Sequence, residues 1–401
     1  MMNAAYWLEW LNLLGRWVHL ITGIAWIGAS FYFVWLDNHL LPSKSPADID
    51  KGVGGEVWSV HGGGFYHAQK YRVAPATLPE PLHWFKWEAY TTWLSGFFML
   101  VLVYYLNADT YLIDPTVLAL SPWQAIVIGL ATMALGWLVY DALCRSPLGR
   151  DDRWLGLALL VIVTLAAWGL SHVFSGRGAF IHYGAMLGTL MVGNVFFVII
   201  PGQRELIKAK LAGREVDPTP GLKAKQRSVH NTYFTLPVLF TMMSNHYAMV
   251  FNHAYNWLLL VLISVAGAAI RVYFVARHKG RASLFPLLSG IALLAGVAYA
   301  TAPPPAPAPI ATANPAAEFA RVVSVVQARC ASCHAAQPTQ PGFAAAPKGV
   351  MLDTPARIAV QATPIYLQVQ SRAMPLGNLT GMTEVERQLI LDWHAARVHT
   401  Q

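Results

Sequence analysis

The sequence contains few charged residues and few cysteines. Only 12% of its 401 residues are Asp, Glu, Lys or Arg, whereas soluble domains carry about 25%. This deficit, with 55% hydrophobic residues, indicates a chain whose main solvent is lipid. The three cysteines are Cys144, Cys330 and Cys333, and the last two lie only three positions apart. Composition therefore predicts a membrane protein and excludes a fold held together by a disulfide framework.

Long apolar runs are what the sequence has in abundance. Eight of them are long enough to cross a hydrocarbon core about 30 Å thick. We therefore predict an all-α fold in which an eight-helix transmembrane bundle occupies residues 1–301, with the first run retained as a span. The eight predicted spans lie near 11–36, 89–107, 122–143, 154–173, 179–201, 234–252, 254–276 and 283–301.

Basic residues are concentrated in alternate loops between these runs. The opposite loops carry just Arg177. Because Lys and Arg hold loops in the cytoplasm, this bias predicts that both termini lie outside it. The expected location is a bacterial inner membrane, crossed many times, with the N-terminus in the periplasm. The same basic loops account for the net charge of +8, so this charge does not indicate nucleic-acid binding. The expected partner is the lipid bilayer.

The chain changes character after the last apolar run. Residues 302–317 are rich in proline, which cannot continue a helix and favours an extended tether. Residues 318–401 then predict a small helical domain. A helical run at 318–329 leads into a C-x-x-C-H motif, and a closing amphipathic helix has Thr383 and Glu386 in the register of a capping box.

The C-x-x-C-H motif is the pattern of covalent c-type haem attachment. Cys330 and Cys333 are spaced to reach two vinyl groups of one porphyrin, and His334 then presents its imidazole to the iron. Met374, which precedes a proline, is the expected second axial ligand, so the predicted metal ligands are His334 and Met374. Met351 and Met382 are its competitors. Because His/Met ligation raises the haem potential, we predict a periplasmic cytochrome c domain that accepts electrons.

Several histidines are predicted to lie in the outer half of the membrane. Ionisable residues inside a span are costly and are therefore candidates for function. The hypothesis is that one or more b-type haems bind here, since an electron entering from the cytoplasmic side would otherwise have to cross most of a bilayer about 30 Å thick. The expected ligands are His19 and His246, and the other candidates are His172, His182 and His253.

The long first loop, near residues 56–93, is dense in aromatic residues, histidine and glycine. Three glycines at 62–64 permit close backbone approach to a planar ligand. An aromatic belt at the membrane interface is the alternative interpretation. The predicted catalytic residues are four from this loop and one from a later stretch on the same side, namely His61, His67, Lys70, Glu88 and His230.

Six stretches carry a resemblance to a known family. They are GRWVHLITGIAWIGASFYF, EVWSVHGGGFYHAQKY, LHWFKWEAYTTWLSG, HNTYFTLPVLFTMMSNHY, CASCH and MPLGN. Over nearly its whole length the chain resembles the bacterial membrane-bound urate hydroxylases, also called cytochrome c urate oxidases. The resemblance implies oxidation of urate to 5-hydroxyisourate in purine degradation, with water as the oxygen source. It also implies that the C-terminal cytochrome takes the electrons, and that a respiratory cytochrome or terminal oxidase removes them.

Urate is a planar monoanion, so its site requires aromatic rings, hydrogen-bond donors and a cation. His61 or His67 is expected to act as the base that accepts a proton. Arg271, inside the seventh run, is a second candidate cation beside Lys70. The alternative for Arg271 is that its long side chain extends to the membrane surface.

Two other functions are compatible with these patterns. A respiratory relay would pass electrons from quinol to the cytochrome without urate chemistry. A simple membrane anchor would only present the cytochrome to another complex, but one span would suffice for that.

Overall fold

The computed structural model describes residues 4–278, 283–302, 314–341, 343 and 345–398, and it is mainly helical. In chain order its helices and strands are α1 Ala4–His39, α2 Pro46–Asp50, β1 Val53–His61, β2 Gly64–Tyr71, α3 Trp87–Leu100, α4 Ala108–Tyr111, α5 Pro122–Arg145, α6 Asp152–Ser171, α7 Gly176–Gly193, α8 Ile200–Leu211, α9 Thr219–Ser244, α10 Ala248–Phe251, α11 Asn256–His278, α12 Phe285–Ala300, α13 Pro315–Arg329, α14 Pro355–Val360, α15 Ala362–Gln370 and α16 Glu384–Val398. Two π-helical turns, Val101–Tyr105 and Asn194–Ile199, continue α3 and α7. The prediction of a helical chain is confirmed, apart from one β-hairpin.

Five helical runs among the described residues are long and apolar enough to cross a membrane. They correspond to five of the eight predicted spans. The apolar faces of α1, α5 and α6 are largely uncovered by other parts of the protein, as expected for helices whose backbone groups are satisfied internally and whose side chains contact lipid. The five runs are Tyr6–His39, Pro122–Arg145, Asp152–Ser171, Gly176–Leu211 and Asn256–Arg277.

The other three predicted spans coincide with helices that are shorter or more polar. Helix α3 has 14 residues before its π-helical turn, and α12 has 16. Helix α9 begins at Thr219, well before the predicted start of its span near 234, and ends at Ser244. The first half of α9 lies outside the predicted span because its buried side chains include polar ones, such as His230 and Asn231, which interrupt the apolar run.

Helix α7 lies at the centre of the bundle, in contact with α3, α5, α6 and α9. Small residues permit this packing. A Cβ atom at Gly184 would overlap the side chain of Thr241 on α9, so the two helices depend on glycine at this point. Gly184 and Gly188 have the four-residue spacing of a GxxxG motif. At Gly188, however, no atom lies within 4 Å of the Cβ position.

The first loop forms an antiparallel hairpin, and its glycines make the turn. His61 pairs with Gly64, and Gly62 and Gly63 between them have φ values of 57° and 80°. Two consecutive positive φ angles are typical of a two-residue hairpin turn, which glycine adopts without steric cost. No atom lies within 4 Å of the Cβ position of either residue, so turn geometry accounts for them rather than the predicted approach to a ligand.

The C-terminal residues have a hydrophobic core of their own, built from α13, α14, α15 and α16. The predicted capping box is confirmed: the Thr383 amide donates to Glu386 Oε2 at 2.8 Å, and the Glu386 amide donates to Thr383 Oγ1 at 3.2 Å. Residues 303–313 of the predicted tether lie outside the described residues. We call the end of the bundle that contacts this C-terminal part the domain end, and the end that carries β1 and β2 the hairpin end.

Candidate functional site

A cleft at the domain end brings the predicted haem residues together. Cys330, Cys333, His334 and Met374 all line it. The cleft has about 590 Å³ of empty space between its walls, part of it open to solvent. The remaining lining residues are Thr110, Tyr111, Arg329, Phe343, Pro347, Pro375, Leu376, Leu379 and Thr380.

The end of helix α13 sets the positions of the motif. Backbone amides of Cys333 and His334 donate to the carbonyl of Cys330 at 3.2 and 2.9 Å, which folds the motif into a compact turn. His334 Nδ1 lies 2.9 Å from the carbonyl oxygen of Val350, and because a carbonyl only accepts, Nδ1 carries the proton. Nε2 is then left with its lone pair, the arrangement found in metal-binding histidines.

Arg387 holds the loop that carries Met374 on the opposite side of the cleft. Its Nη1 donates to the carbonyl oxygens of Val369 and Met374 at 2.9 and 3.1 Å. Met382, a competing ligand, is 3% exposed within the C-terminal core. Neither Met382 nor Met351 lines the cleft. The geometry therefore favours Met374 among the three methionines.

The two thiols of the cleft are neutral at physiological pH. Burial raises the pKa of Cys330 to about 12, and burial also raises the pKa of Cys333. Within the described ranges, no group of three or more His, Cys, Asp or Glu side chains is placed to hold a metal ion.

The helices that precede the tether, α1–α12, are called the membrane part, and they form one wall of this cleft. Thr110 and Tyr111 of α4 line it together with residues of the C-terminal part. The two parts are also joined by a hydrogen bond of 2.7 Å from Asn252 Nδ2 to the carbonyl oxygen of Arg372. The guanidinium of Arg177 lies 5.8 Å from the ring centre of Tyr111, on the side of the membrane part. Helix α4 is therefore the part of the bundle that lies against the cleft.

A buried polar network occupies the hairpin half of the bundle. Arg227 forms an ion pair of 2.6 Å with Asp141 and donates to Asn194 Oδ1 at 3.2 Å. Asn194 Nδ2 in turn donates to Asn231 Oδ1 at 2.8 Å. Asn194 begins the π-helical turn after α7, and π-turns inside helices often occur at functional positions.

His230, one of the predicted catalytic residues, belongs to this network. Its Nδ1 lies 2.8 Å from Tyr140 Oη, which also accepts a hydrogen bond of 2.9 Å from Asn194 Nδ2. Both His230 and Tyr140 are buried. The network thus connects a histidine, a phenol, an amide and an ion pair away from water.

The hairpin residues have different surroundings. His67 stacks on Trp58 with ring centres 4.2 Å apart, and its Nε2 lies 2.7 Å from Glu56 Oε2. This hydrogen bond lowers the pKa of Glu56 below its usual value. Lys70 forms an exposed ion pair of 2.6 Å with Asp37. These contacts occupy the groups that sequence reasoning assigned to the substrate.

The five predicted catalytic residues are therefore not gathered in one pocket. His61 is exposed at the end of β1, whereas His230 lies inside the bundle. Glu88, in the first turn of α3, has a buried Oε2 atom without a hydrogen-bond partner among the described residues. Glu88 is thus the one member with an unsatisfied buried atom.

The histidines considered for a b-type haem have different surroundings. His19 Nδ1 lies 3.1 Å from both the Thr92 carbonyl oxygen and Ser95 Oγ. His246 is exposed, in the turn that follows α9. His182 is fully buried, with Nδ1 2.8 Å from the Gly178 carbonyl oxygen and Nε2 3.2 Å from the hydroxyl of Tyr105.

The family comparison covers the membrane part. A family model described as urate oxidase, N-terminal, matches residues 5–302. The chain belongs to this family. No match is found among curated proteins or among solved structures.

The match to the urate oxidase N-terminal family ends where the predicted tether begins. It includes the hairpin, the buried network and every helix of the bundle. It does not include Cys330, Cys333, His334 or Met374. Family membership therefore bears on the membrane part, whereas the cleft is supported by its motif and its geometry.

Sequence reasoning missed most of the buried network. The predicted site residues do not include Asn194, Tyr140, Asp141 or Arg227. A usable signal existed, because polar side chains within apolar runs are candidates for function. Asn194 lies in the apolar run 179–201, and Tyr140 and Asp141 lie near the end of the run 122–143.

Proposed function

We propose that this protein oxidises urate to 5-hydroxyisourate and transfers the electrons to a c-type haem bound in the domain-end cleft. The match of residues 5–302 to the urate oxidase N-terminal family is the observation that supports urate as the substrate. The balanced reaction adds one water to urate and releases two protons and two electrons. The protein must therefore bind a planar anion, accept protons and lead electrons away.

The cleft supports the choice of electron acceptor. Cys330 and Cys333 would form the two thioether bonds, and His334 and Met374, which line the same cleft, would ligate the iron. The orientation of His334, with Nδ1 bonded to Val350, fits a ligand that offers Nε2. When bound, such a haem accepts one electron at a time, at a potential raised by methionine ligation.

The buried network supports proton removal in the hairpin half. His230 is the titratable imidazole of this network, and its hydrogen bond to Tyr140 fixes the position of its ring, so it is the candidate proton acceptor there. His61, His67, Lys70 and Glu88 stay proposed participants, and each requires its own variant. A His61→Ala protein with full haem content and unchanged turnover would remove His61 from the mechanism.

The membrane placement follows from the charge bias of the sequence. We propose that the domain end faces the periplasm of a bacterial inner membrane, where c-type haem is attached. A respiratory cytochrome or terminal oxidase would then reoxidise the cleft haem. A b-type haem held by His19 and His246 is a separate proposal, which pyridine haemochrome analysis of the pure protein tests directly.

The deciding experiment adds urate anaerobically to purified oxidised protein and follows the c-type haem absorption bands. Rapid reduction, with 5-hydroxyisourate as the product, is expected. Reduction by a quinol with no response to urate would instead identify a respiratory relay. A protein that carries no covalent haem would contradict the proposed acceptor but not the proposed substrate.

A further inference from the structure

Arg271 is a buried cation without an anionic partner. It lies on α11, is 7% exposed, and forms no hydrogen bond or ion pair with any residue that the structure describes. Its guanidinium carbon lies 3.9 Å from the ring centre of Phe31 on α1. The side chain is therefore packed between helices of the bundle.

The other two arginines that are buried among the described residues have hydrogen-bond acceptors, although the Nε atom of Arg387, like that of Arg271, has none. Arg227 has Asp141 and Asn194, and Arg387 has two backbone carbonyls. An arginine does not lose its proton in a protein, so a buried one requires compensation. Stacking on Phe31 compensates Arg271 on one face only, through a cation–π contact. The Nε donor has no acceptor among the described residues, and it lies on the edge of the guanidinium that an external acceptor would approach.

The geometry of a stacked guanidinium selects its ligand. With one face against a ring, the N–H groups point outward in a plane, and two parallel hydrogen bonds to a planar anion are the favoured contact. Urate at neutral pH is a planar monoanion with adjacent nitrogen and oxygen acceptors. A compact inorganic anion would match the two parallel N–H groups of the guanidinium less well.

The position of Arg271 agrees with the buried network. Helix α11 packs against both α1 and α9. Phe31, Arg271 and His230 all lie in the hairpin half of their helices. An anion held by Arg271 would therefore bind in the same half of the bundle as the proposed base.

We propose that Arg271, stacked on Phe31, is the residue that binds the anionic edge of urate. This assignment rests on the proposed function and specifies its substrate site. It moves the predicted cation of that site from the exposed hairpin, where Lys70 is paired with Asp37, to the interior of the bundle. Arg271 is here a binding residue and takes no proton.

The test uses the full-length protein with its haem, purified in detergent. Urate binding is measured by equilibrium dialysis after chemical reduction under anaerobic conditions, so that bound urate is not oxidised. Arg271→Gln is expected to weaken urate binding by at least about tenfold, which corresponds to about 1.4 kcal/mol. Arg271→Lys keeps the charge but loses the planar fork, and a smaller loss is expected.

Arg277→Gln is the matched control, because it removes the same charge from an exposed position on the same helix. It should bind urate as the wild type does. Binding of the neutral purine hypoxanthine should be equal in all four proteins, since it lacks the anionic edge. In turnover, Arg271→Lys should raise KM with kcat nearly unchanged.

Three outcomes overturn the inference. Arg271→Gln with normal haem content, a wild-type Tm and urate affinity within about twofold of the wild type would do so. An unchanged KM in Arg271→Lys would do so even where Arg271→Gln fails to fold. Wild-type protein that binds no urate would overturn it together with the proposed function, whereas either of the first two outcomes, in protein whose haem is still reduced by urate, overturns the inference alone.

Discussion

The domain end and the hairpin end of the bundle differ in how their polar residues are distributed along the sequence. At the domain end, the chemistry is concentrated in a five-residue motif and one methionine, and the structure brings all of them to one cleft. At the hairpin end, the predicted residues are scattered, and the polar residues that do meet come from helices distant in sequence. Asn194, for example, contacts both Tyr140 and Asn231.

The difference has a physical origin. A covalently attached cofactor fixes the spacing of its ligands along the chain, so local sequence is sufficient to locate them. A substrate pocket between helices is fixed by tertiary packing, and each helix contributes only one or two side chains. The first site is therefore encoded by a motif, and the second by polarity at isolated positions in apolar runs.

The largest expected effect is the loss of covalent haem at the domain end. His334→Ala together with Cys330→Ala and Cys333→Ala should abolish covalent haem, because both thioether positions and the proximal ligand are lost. Haem staining of a denaturing gel measures this. Cys144→Ala, at a thiol far from the cleft in sequence, should retain full haem. Haem retained by the triple variant would show that the cleft is not the attachment site.

Sequence reasoning failed at the hairpin end for identifiable reasons. The aromatic and histidine-rich loop was interpreted as a pocket because of its composition, but His67 is occupied by Trp58 and Glu56 within a hairpin. Arg227 precedes the apolar part of its run, a position typical of the basic residues that hold loops in the cytoplasm. Its ion pair with Asp141, across two helices, is not visible in either local pattern.

The second prediction concerns stability at the hairpin end. Arg227→Gln leaves Asp141 without its buried partner, and breaking a buried ion pair costs about 3–5 kcal/mol. Arg145→Gln is the matched control, because Arg145 also pairs with Asp141 at 2.6 Å but is 69% exposed. The exposed pair should contribute at most about 1 kcal/mol.

Thermal unfolding of the two variants in detergent compares them. A clear loss of Tm in Arg227→Gln, with little change in Arg145→Gln, is expected. Equal losses would show that the buried Arg227–Asp141 pair contributes no more to stability than the exposed Arg145–Asp141 pair.

The third prediction separates attachment from ligation in the cleft. Met374→Leu conserves volume, so the fold and the covalent haem should be retained. The midpoint potential should fall and the absorption spectrum should change, because the axial thioether is lost. Met351→Leu, outside the cleft, should leave both unchanged. If Met351→Leu alters the potential and Met374→Leu does not, the axial ligand has been assigned to the wrong residue.

The smallest effect concerns the contact between the two regions. Asn252→Ala removes one hydrogen bond from the membrane part to the Arg372 carbonyl, and a single such bond contributes about 0.5–1.5 kcal/mol. We expect urate-driven haem reduction to slow by less than about tenfold, with an unchanged haem spectrum. Asn38→Ala removes a comparable side-chain bond at the hairpin end, to the Val34 carbonyl, and should not alter the rate. Stopped-flow absorption compares the two variants. A rate that is equally slow in both would mean that electron transfer is limited within the bundle rather than by its contact with the cleft.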